Sequence, residues 1–331
     1  MVSLTVVMYH YVRKLAGSDY PEIKGLETRL FEEQIKYILK FYNPVKMEEV
    51  IAAVADGAGL PEMPILLTFD DGYKDHSANV LPILRKYGIQ GTFFIPGRAV
   101  SEKKVLDVNK IHFILACASD KENLLRDVEI EINERCQAAD VDHNICLISD
   151  NKSASRRYDA GPVGRIKDLL QRDLPRELRE SIVDSLFRKY VSTEEEEFSG
   201  SLYMNAEDIA FMKDSGMFIG SHSYDHVWMN SLDPIRQREE LEKGLKVLTD
   251  IGCGSDEIVF SYPYGGYNES LLELLGEKKV RMAFTSKCDI AGVDAGTRYL
   301  VPRLDTNDLP KDRGAEPGIW TVKAMKSLQK Q

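Results

Sequence analysis

The chain has 331 residues, 43% of them hydrophobic and 29% charged, with 43 basic and 53 acidic side chains and a formal net charge of −10. That size and composition suit one large domain or two ordinary ones and exclude global disorder, a fibrous repeat and a coiled-coil rod. The acidic balance argues against a general nucleic-acid or anionic-membrane binder, because the mean surface potential repels phosphate.

No apolar run approaches the roughly 20 residues needed to cross a bilayer, so no membrane span is predicted. The first ten residues carry no basic region and no small-residue cleavage site, and they read as a strand. Cys117, Cys136, Cys146, Cys253 and Cys288 are widely spaced, with no CxxC pair. This pattern predicts neither a disulfide framework nor a cysteine zinc site, and it points to a reducing cytoplasm.

In chain order, Leu4–Tyr9 is an apolar β-prone run, and Phe31, Ile35, Ile38 and Leu39 recur at helical spacing. Met47–Ala55 is a second helix closed by Gly57. Ile65–Phe69 is a strand, Asp75–Tyr87 a helix with Gly88 beyond its end, and Gly91–Ile95 a strand. Strand–helix–strand order at such intervals predicts parallel pairing and an α/β fold. Between residues 97 and 199 strand alternation is lost, and stripes at Val163, Ile166, Leu169, Leu170 and at Leu178, Ile182, Leu186, Phe187 predict a largely helical insertion. From residue 200 the α/β rhythm returns. A helix capped by Asn205 ends at Gly216, Met217–Gly220 is a strand and Pro234–Ile251 a long helix. Ile258–Ser261, Met282–Thr285 and Tyr299–Val301 are further strands, with a helix at Asn268–Leu275.

Three motifs carry chemistry, each just after a predicted strand, where a parallel α/β fold opens its functional mouth. Thr68-Phe69-Asp70-Asp71-Gly72-Tyr73 places two adjacent carboxylates whose side chains diverge, so one can bind a cation while the other accepts a proton. A helix cap beside a turn glycine is the plainer reading of Asp-Asp-Gly alone. His222-Ser223-Tyr224-Asp225-His226 sets two imidazoles on one side of a turn, and with a carboxylate they make a facial metal set. Pro263-Tyr264-Gly265-Gly266 is a loop that can bring a backbone N–H against a substrate oxygen, or simply a turn.

In this order the motifs resemble the polysaccharide deacetylase (NodB-homology) family, carbohydrate esterase family four, over roughly Leu4–Phe94 and Leu202–Leu309. The resemblance implies a distorted (β/α)7 barrel that removes N- or O-acetyl groups from sugars with a divalent metal. Zinc is the foremost candidate, with cobalt, nickel or manganese as alternatives. By position it makes Asp70 the general base, Asp71, His222 and His226 the metal ligands, and the Tyr264 N–H an oxyanion donor. Tyr264 and Gly265 are then candidate substrate contacts. Two departures stand out. Ser261 occupies the place where many members have a base-orienting arginine, and no histidine follows His226 to act as general acid.

His10, ending the first strand in Tyr9-His10, is the candidate acid, because in a closed barrel the first strand neighbours the last. Arg303 and Asp305 follow the last predicted strand. They are candidate substrate contacts, and either could instead supply the missing orienting partner. His76 reads as a surface residue, His112 as a packed or interface residue, and His143 as part of a polar loop.

The resulting expectation is a cytoplasmic, metal-dependent de-N-acetylase acting on an N-acetylated sugar or saccharide precursor of surface-glycan synthesis, with no nucleic-acid partner and a homo-oligomer as a candidate state. Residues 1–96 and 200–331 would form the barrel and 97–199 a lid or oligomer contact. A hydrolase of another small N-acyl or O-acyl group is one alternative. A catalytically impaired carbohydrate-binding protein is the other.

Overall fold

The computed structural model describes residues 2–138, 159, 161–254 and 256–328. His143 and Cys146 lie outside them. The chain divides into two units. The first comprises residues 1–14, 25–104 and 199–331, and the second residues 15–24 and 105–198.

The first unit is built on a curled, mainly parallel sheet. Its strands are β1 (Val2–Tyr9), β2 (Asn43–Pro44), β3 (Pro64–Phe69), β4 (Gly91–Ile95), β5 (Phe218–Ser221), β6 (Val259–Ser261), β7 (Met282–Phe284), β8 (Ala291–Val293) and β9 (Leu304–Asp305). The main path runs β7-β6-β5-β4-β3-β1-β8, with β2 on β3 and β9 on β1. Every residue of β3 and β4 is buried, as expected of parallel strands covered on both faces.

Residues 301–305 link the two ends of the curl. Val301 bridges Phe284 of β7, and Leu304 and Asp305 pair in parallel with Val7 and Met8 of β1. The strand expected at Tyr299–Val301 is therefore one isolated bridge, with regular pairing resuming at Leu304. Pro302 explains the interruption, since it has no N–H for the ladder. Two short strands escaped the sequence pattern. β2 has two residues and β8 three, too few to show alternation, and β8 runs antiparallel to the start of β1.

Alternation sorts the strand residues onto two faces. Val7, Tyr9, Leu67, Phe69 and Phe93 pack against the helical residues Phe31, Ile35, Ile38 and Leu84. Phe69 stacks between Tyr9 (centroids 4.9 Å) and Phe93 (4.6 Å). Leu4, Val6, Leu66, Phe94, Val259 and Phe284 pack together on the other face, across the curl. Thr68 and Asp70 share the parity of Leu66, Ser261 that of Val259, so chemistry placed at these strand ends turns inward. Register keeps the ends level: Tyr9 opposes Phe69, Phe69 opposes Phe93, Ile95 opposes Ser221 and Ser261 opposes Phe284.

The helix expected at Asp75–Tyr87 begins as a π-helical turn, His76–Val80, and only then becomes α-helical over Leu81–Tyr87. Leu81 N–H reaches back five residues to the His76 carbonyl. Pro82, lacking a donor, cannot extend an α ladder at that point.

The second unit is helical: Asp107–Cys117, Lys121–Ala138, Gly161–Asp168 running into a π turn, and Arg176–Tyr190, with the helix Glu195–Leu202 starting inside it. Phe113, Phe187, Phe198 and Tyr20 meet edge to face. Lys110, nearly buried, is neutralised by Asp184 (2.5 Å) and Glu195 (2.9 Å). This unit starts at Val105 rather than residue 97 and takes in Leu15–Lys24, which the sequence reading left with the barrel. Cys136 is disulfide-bonded, against the expectation of thiols only. Cys117, Cys253 and Cys288 carry no disulfide, and the Cys288 thiol donates to Asp308 Oδ2 (3.2 Å).

The helix Pro234–Asp250, capped by Asp233, lies close on the loop that carries the second histidine motif. A Cβ at Gly244 would stand 2.8 Å from the Ser223 carbonyl oxygen. Helix propensity alone makes Gly→Ala stabilising by about 1 kcal/mol in a helix interior. At this position the clash dominates, and we expect Gly244→Ala to destabilise by about 1–3 kcal/mol, measured as a lowered urea midpoint at unchanged slope.

Candidate active site

The three motifs converge at the rim of the first unit. Asp71 follows β3 in the left-handed region (φ 73°), and His226 does so in the loop after β5 (φ 54°). Ser223 (φ 61°) and Tyr264 (φ 56°) adopt the same strained conformation, which costs roughly 1–2 kcal/mol for a side chain with a Cβ. Such outliers gather where function fixes the backbone. The His226 loop is held from outside. Buried Glu240 accepts from Tyr224 N–H (3.2 Å) and Asp225 N–H (2.9 Å), and the Ser223 carbonyl accepts from Gly97 N–H (3.0 Å).

One oxygen of Asp71, Oδ1, lies 3.4 Å from His222 Nε2 and 3.3 Å from His226 Nε2. The three ligand atoms sit within 4.8 Å of one another, and all three residues are buried. His222 Nδ1 is 2.7 Å from the Ser261 carbonyl oxygen, so the proton belongs on Nδ1 and the Nε2 lone pair faces Asp71. Asp71 Oδ1 has no hydrogen-bond partner. Burial alone would raise the Asp71 carboxyl. The imidazoles of His226 and His222, with His10, outweigh it and hold the carboxyl well below the usual range. That lowering needs positive charge on the imidazoles; when they are neutral, their lone pairs and the ionised oxygen repel each other in this dry spot unless a cation lies between them. A divalent ion with nitrogen and oxygen preferences fits this donor set.

Asp70 points into the barrel beside this cluster, with Oδ2 4.0 Å from His222 Nε2. Arg303 holds it with two bonds, Nη1 to Oδ1 at 2.8 Å and Nη2 to Oδ2 at 2.7 Å. Arg303 also donates to Thr68 Oγ1 (3.2 Å), Ser261 Oγ (2.9 Å) and the Thr285 carbonyl (3.0 Å). It is 1% exposed. Burial would push the Asp70 carboxyl up, but the charge and hydrogen bonds of Arg303, with His222 and His10, bring it to about 2.

Asp70, Asp71, His222 and His226 are brought together. His10 leaves β1 one step beyond the Tyr9–Phe69 pair, and the Asp70 N–H bonds to the Tyr9 carbonyl (2.9 Å), so His10 stands at the same rim. Tyr264 packs its ring edge-on to His226 (4.8 Å) and flat on Trp228 (4.8 Å, 5°), so its side chain lies against His226.

Three expectations need correction. Arg303 is not a surface for substrate, since it is buried behind Asp70 with its donors committed. It fills from the last segment the orienting place left vacant by Ser261. Asp305 spends its carboxylate on the turn that follows, accepting from Asn307 N–H (2.8 Å) and Asn307 Nδ2 (2.7 Å). Gly265 gives its N–H to the Tyr262 carbonyl (2.9 Å), and its φ of 75° and the clash a Cβ there would make with Ser286 Oγ make it a turn glycine.

His76 is fully buried rather than on the surface. It lies among Phe69, Tyr73 and Phe93, with Nε2 3.0 Å from the His10 carbonyl oxygen. Tyr73, Glu240 and the Ser261 carbonyl were not singled out from the sequence. Tyr73 alone carries a signal, as an aromatic donor two residues past Asp71.

Two measurements follow. Removing one partner of a buried ion pair strands the other, so Arg303→Met should cost about 3–5 kcal/mol in urea unfolding. Asp70→Asn combined with Arg303→Met should cost clearly less than the two single losses added together, and strict additivity would contradict the coupling. Burial brings His76 down to about 4, against about 6.5 in an unfolded chain. As pH falls from 6.5 towards 4, the unfolded state gains a proton that the folded state refuses, so stability is lost in that window. His76→Gln keeps a donor for the His10 carbonyl. It should flatten the stability difference between pH 7 and 4.5 by about 2–3 kcal/mol, and an unchanged slope would contradict the assignment.

Comparison with known proteins agrees with this geometry. The family profile for polysaccharide deacetylase matches residues 58–129 and 188–283, just over half of the chain. The fold matches the Streptococcus pyogenes deacetylase PplD, solved with acetate, at a TM-score of 0.56 and 16% identity over 93% of each chain. It matches IcaB from Ammonifex degensii at a TM-score of 0.55 and 18% identity, covering 98% of this chain and 96% of that one. The poly-beta-1,6-N-acetyl-D-glucosamine N-deacetylase of Escherichia coli (strain K12) is 30% identical over 82 residues, which are 24% of this chain and 12% of that much longer protein. These likenesses accord with a distorted (β/α) barrel. With a carboxylate pair after β3, two histidines around a turn after β5 and the family profile across both, the chain belongs to the polysaccharide deacetylase family.

Proposed function

We propose that the protein is a metal-dependent hydrolase that removes the N-acetyl group from an amino sugar within a saccharide, in the making or modification of a surface glycan. The observation that carries this reading is Asp70: a second, ionised carboxylate, locked by Arg303, beside the Asp71–His222–His226 set. Sugar binding alone needs no such base. The name of the Escherichia coli relative supports an N-acetylglucosamine unit as the substrate.

In this reading Asp71, His222 and His226 hold a divalent ion, zinc foremost. When bound, the ion acidifies a water molecule and polarises the acyl oxygen. Asp70, pinned through both oxygens, takes the proton of the attacking water. A carboxylate near 2 is a weak base, so this transfer relies on a water already made acidic. The Tyr264 peptide N–H is proposed to donate to the developing oxyanion. His10 delivers a proton to the departing nitrogen, its carbonyl braced by His76. The C–N bond breaks as the amine leaves, and acetate is the second product.

No helix among the described residues is long and apolar enough to cross a membrane. The cytoplasmic expectation draws on the cysteine spacing and on the lack of an export signal, and the disulfide at Cys136 removes the first of these grounds. We therefore propose the sugar class without a compartment. The helical unit is proposed as a lid or oligomer contact.

Acetate release from N-acetylglucosamine oligomers, assayed beside formate release from N-formyl analogues, tests the acyl specificity. Chelation should abolish turnover and zinc should restore it. Asp70→Asn should lower turnover about 10²–10⁴-fold while zinc still titrates into the protein calorimetrically. Full-speed hydrolysis by that variant would overturn the assignment of the base.

A further inference from the structure

The two oxygens of Asp71 live in different surroundings. Oδ1 faces the two imidazoles and has no hydrogen-bond partner. Oδ2 accepts a short hydrogen bond from the Tyr73 hydroxyl at 2.5 Å. Bonds from a neutral O–H to a carboxylate are among the strong ones.

Tyr73 is placed to hold this bond. It is fully buried. Its ring stacks on Tyr11 at 4.0 Å and lies parallel to Tyr203 at 6.1 Å, and His76 meets it edge-on. The backbone is fixed as well. Tyr73 bridges Tyr203, Met204 N–H bonds to the Gly72 carbonyl (3.0 Å) and His76 N–H to the Tyr73 carbonyl (2.9 Å). A buried ring packed against three others has few other rotamers to visit.

A carboxylate whose second oxygen is engaged can offer a metal only one. We propose that Tyr73 is a positioning residue that fixes Asp71 as a one-oxygen ligand and so limits the protein to three donor atoms, leaving positions for water and the acyl oxygen. Without the phenol, Oδ2 is free to swing in and chelate, which adds a donor and closes a position. This inference rests on the metal-site reading above. It goes beyond that reading by naming what sets the coordination number.

Cobalt(II) is the probe, because its visible absorption weakens as coordination rises from four towards six. Wild type and Tyr73→Phe are compared in cobalt titrations, with circular dichroism melts to show that both are folded. For the variant we expect weaker visible bands at saturation and an affinity about 10–100-fold lower, the usual effect of removing a partner of a metal ligand. Unchanged bands with unchanged affinity would overturn the proposal. If wild type itself binds no cobalt, the metal-site reading fails instead, so the two failures are distinguishable. Should Tyr73→Phe not fold, X-ray absorption fine structure on zinc-loaded wild type answers directly. A single carboxylate oxygen at bonding distance supports the proposal, and two overturn it.

Discussion

The structure turns on an electrostatic problem that the chain sets for itself. An ionised carboxylate oxygen and the nitrogens of two imidazoles are driven into one buried space, where each is a poor neighbour for the others. Strain adds to the problem, since Asp71 and His226 are both held in left-handed backbone. A fold of marginal stability keeps such an arrangement only where the surrounding packing imposes it, and the divalent ion proposed for this site would relieve the repulsion. The stacked aromatics Tyr9, Phe69 and Phe93 stiffen one side. The helix Pro234–Asp250, through Glu240 and Gly244, stiffens the other.

Around that centre each acting group has its own brace, from a different part of the chain. Ser261 fixes the His222 tautomer through its carbonyl and touches Asp70 through its hydroxyl (3.3 Å). Arg303 holds both oxygens of Asp70, and His76 holds the His10 peptide. Braces of this kind turn a set of compatible residues into a preorganised site. The dependence on Arg303 also explains why the sheet must curl until residues 301–305 reach both β7 and β1. An arginine from the last segment bonds to a carboxylate after the third strand only if the curl brings those ends together.

Much of this was legible in the sequence, for identifiable reasons. Thr68–Tyr73 and His222–His226 keep chemistry-bearing residues adjacent or one turn apart, so local spacing reports their geometry. The buried strands read as continuous apolar runs. The glycines at 57, 88, 216 and 252 all adopt positive φ, as expected beyond a helix end. What was not legible depends on contacts across hundreds of positions. Arg303 lies 233 residues from Asp70, and nothing near Val301-Pro302-Arg303 says whether it faces substrate or the Asp70 carboxylate. His76 looked like a surface residue because its neighbours Asp75 and Ser77 are polar. Only the π turn, which shifts the register, shows that it faces the aromatic core. Leu15–Lys24 joins the helical unit through packing that no local pattern records.

The most direct measurement is anomalous diffraction at the zinc edge from zinc-loaded crystals of the intact chain. The account predicts one strong peak at about 2.0–2.2 Å from Asp71 Oδ1, His222 Nε2 and His226 Nε2, with Asp70 nearby and still paired to Arg303. A map with no peak there, and the three side chains relaxed apart, would contradict it.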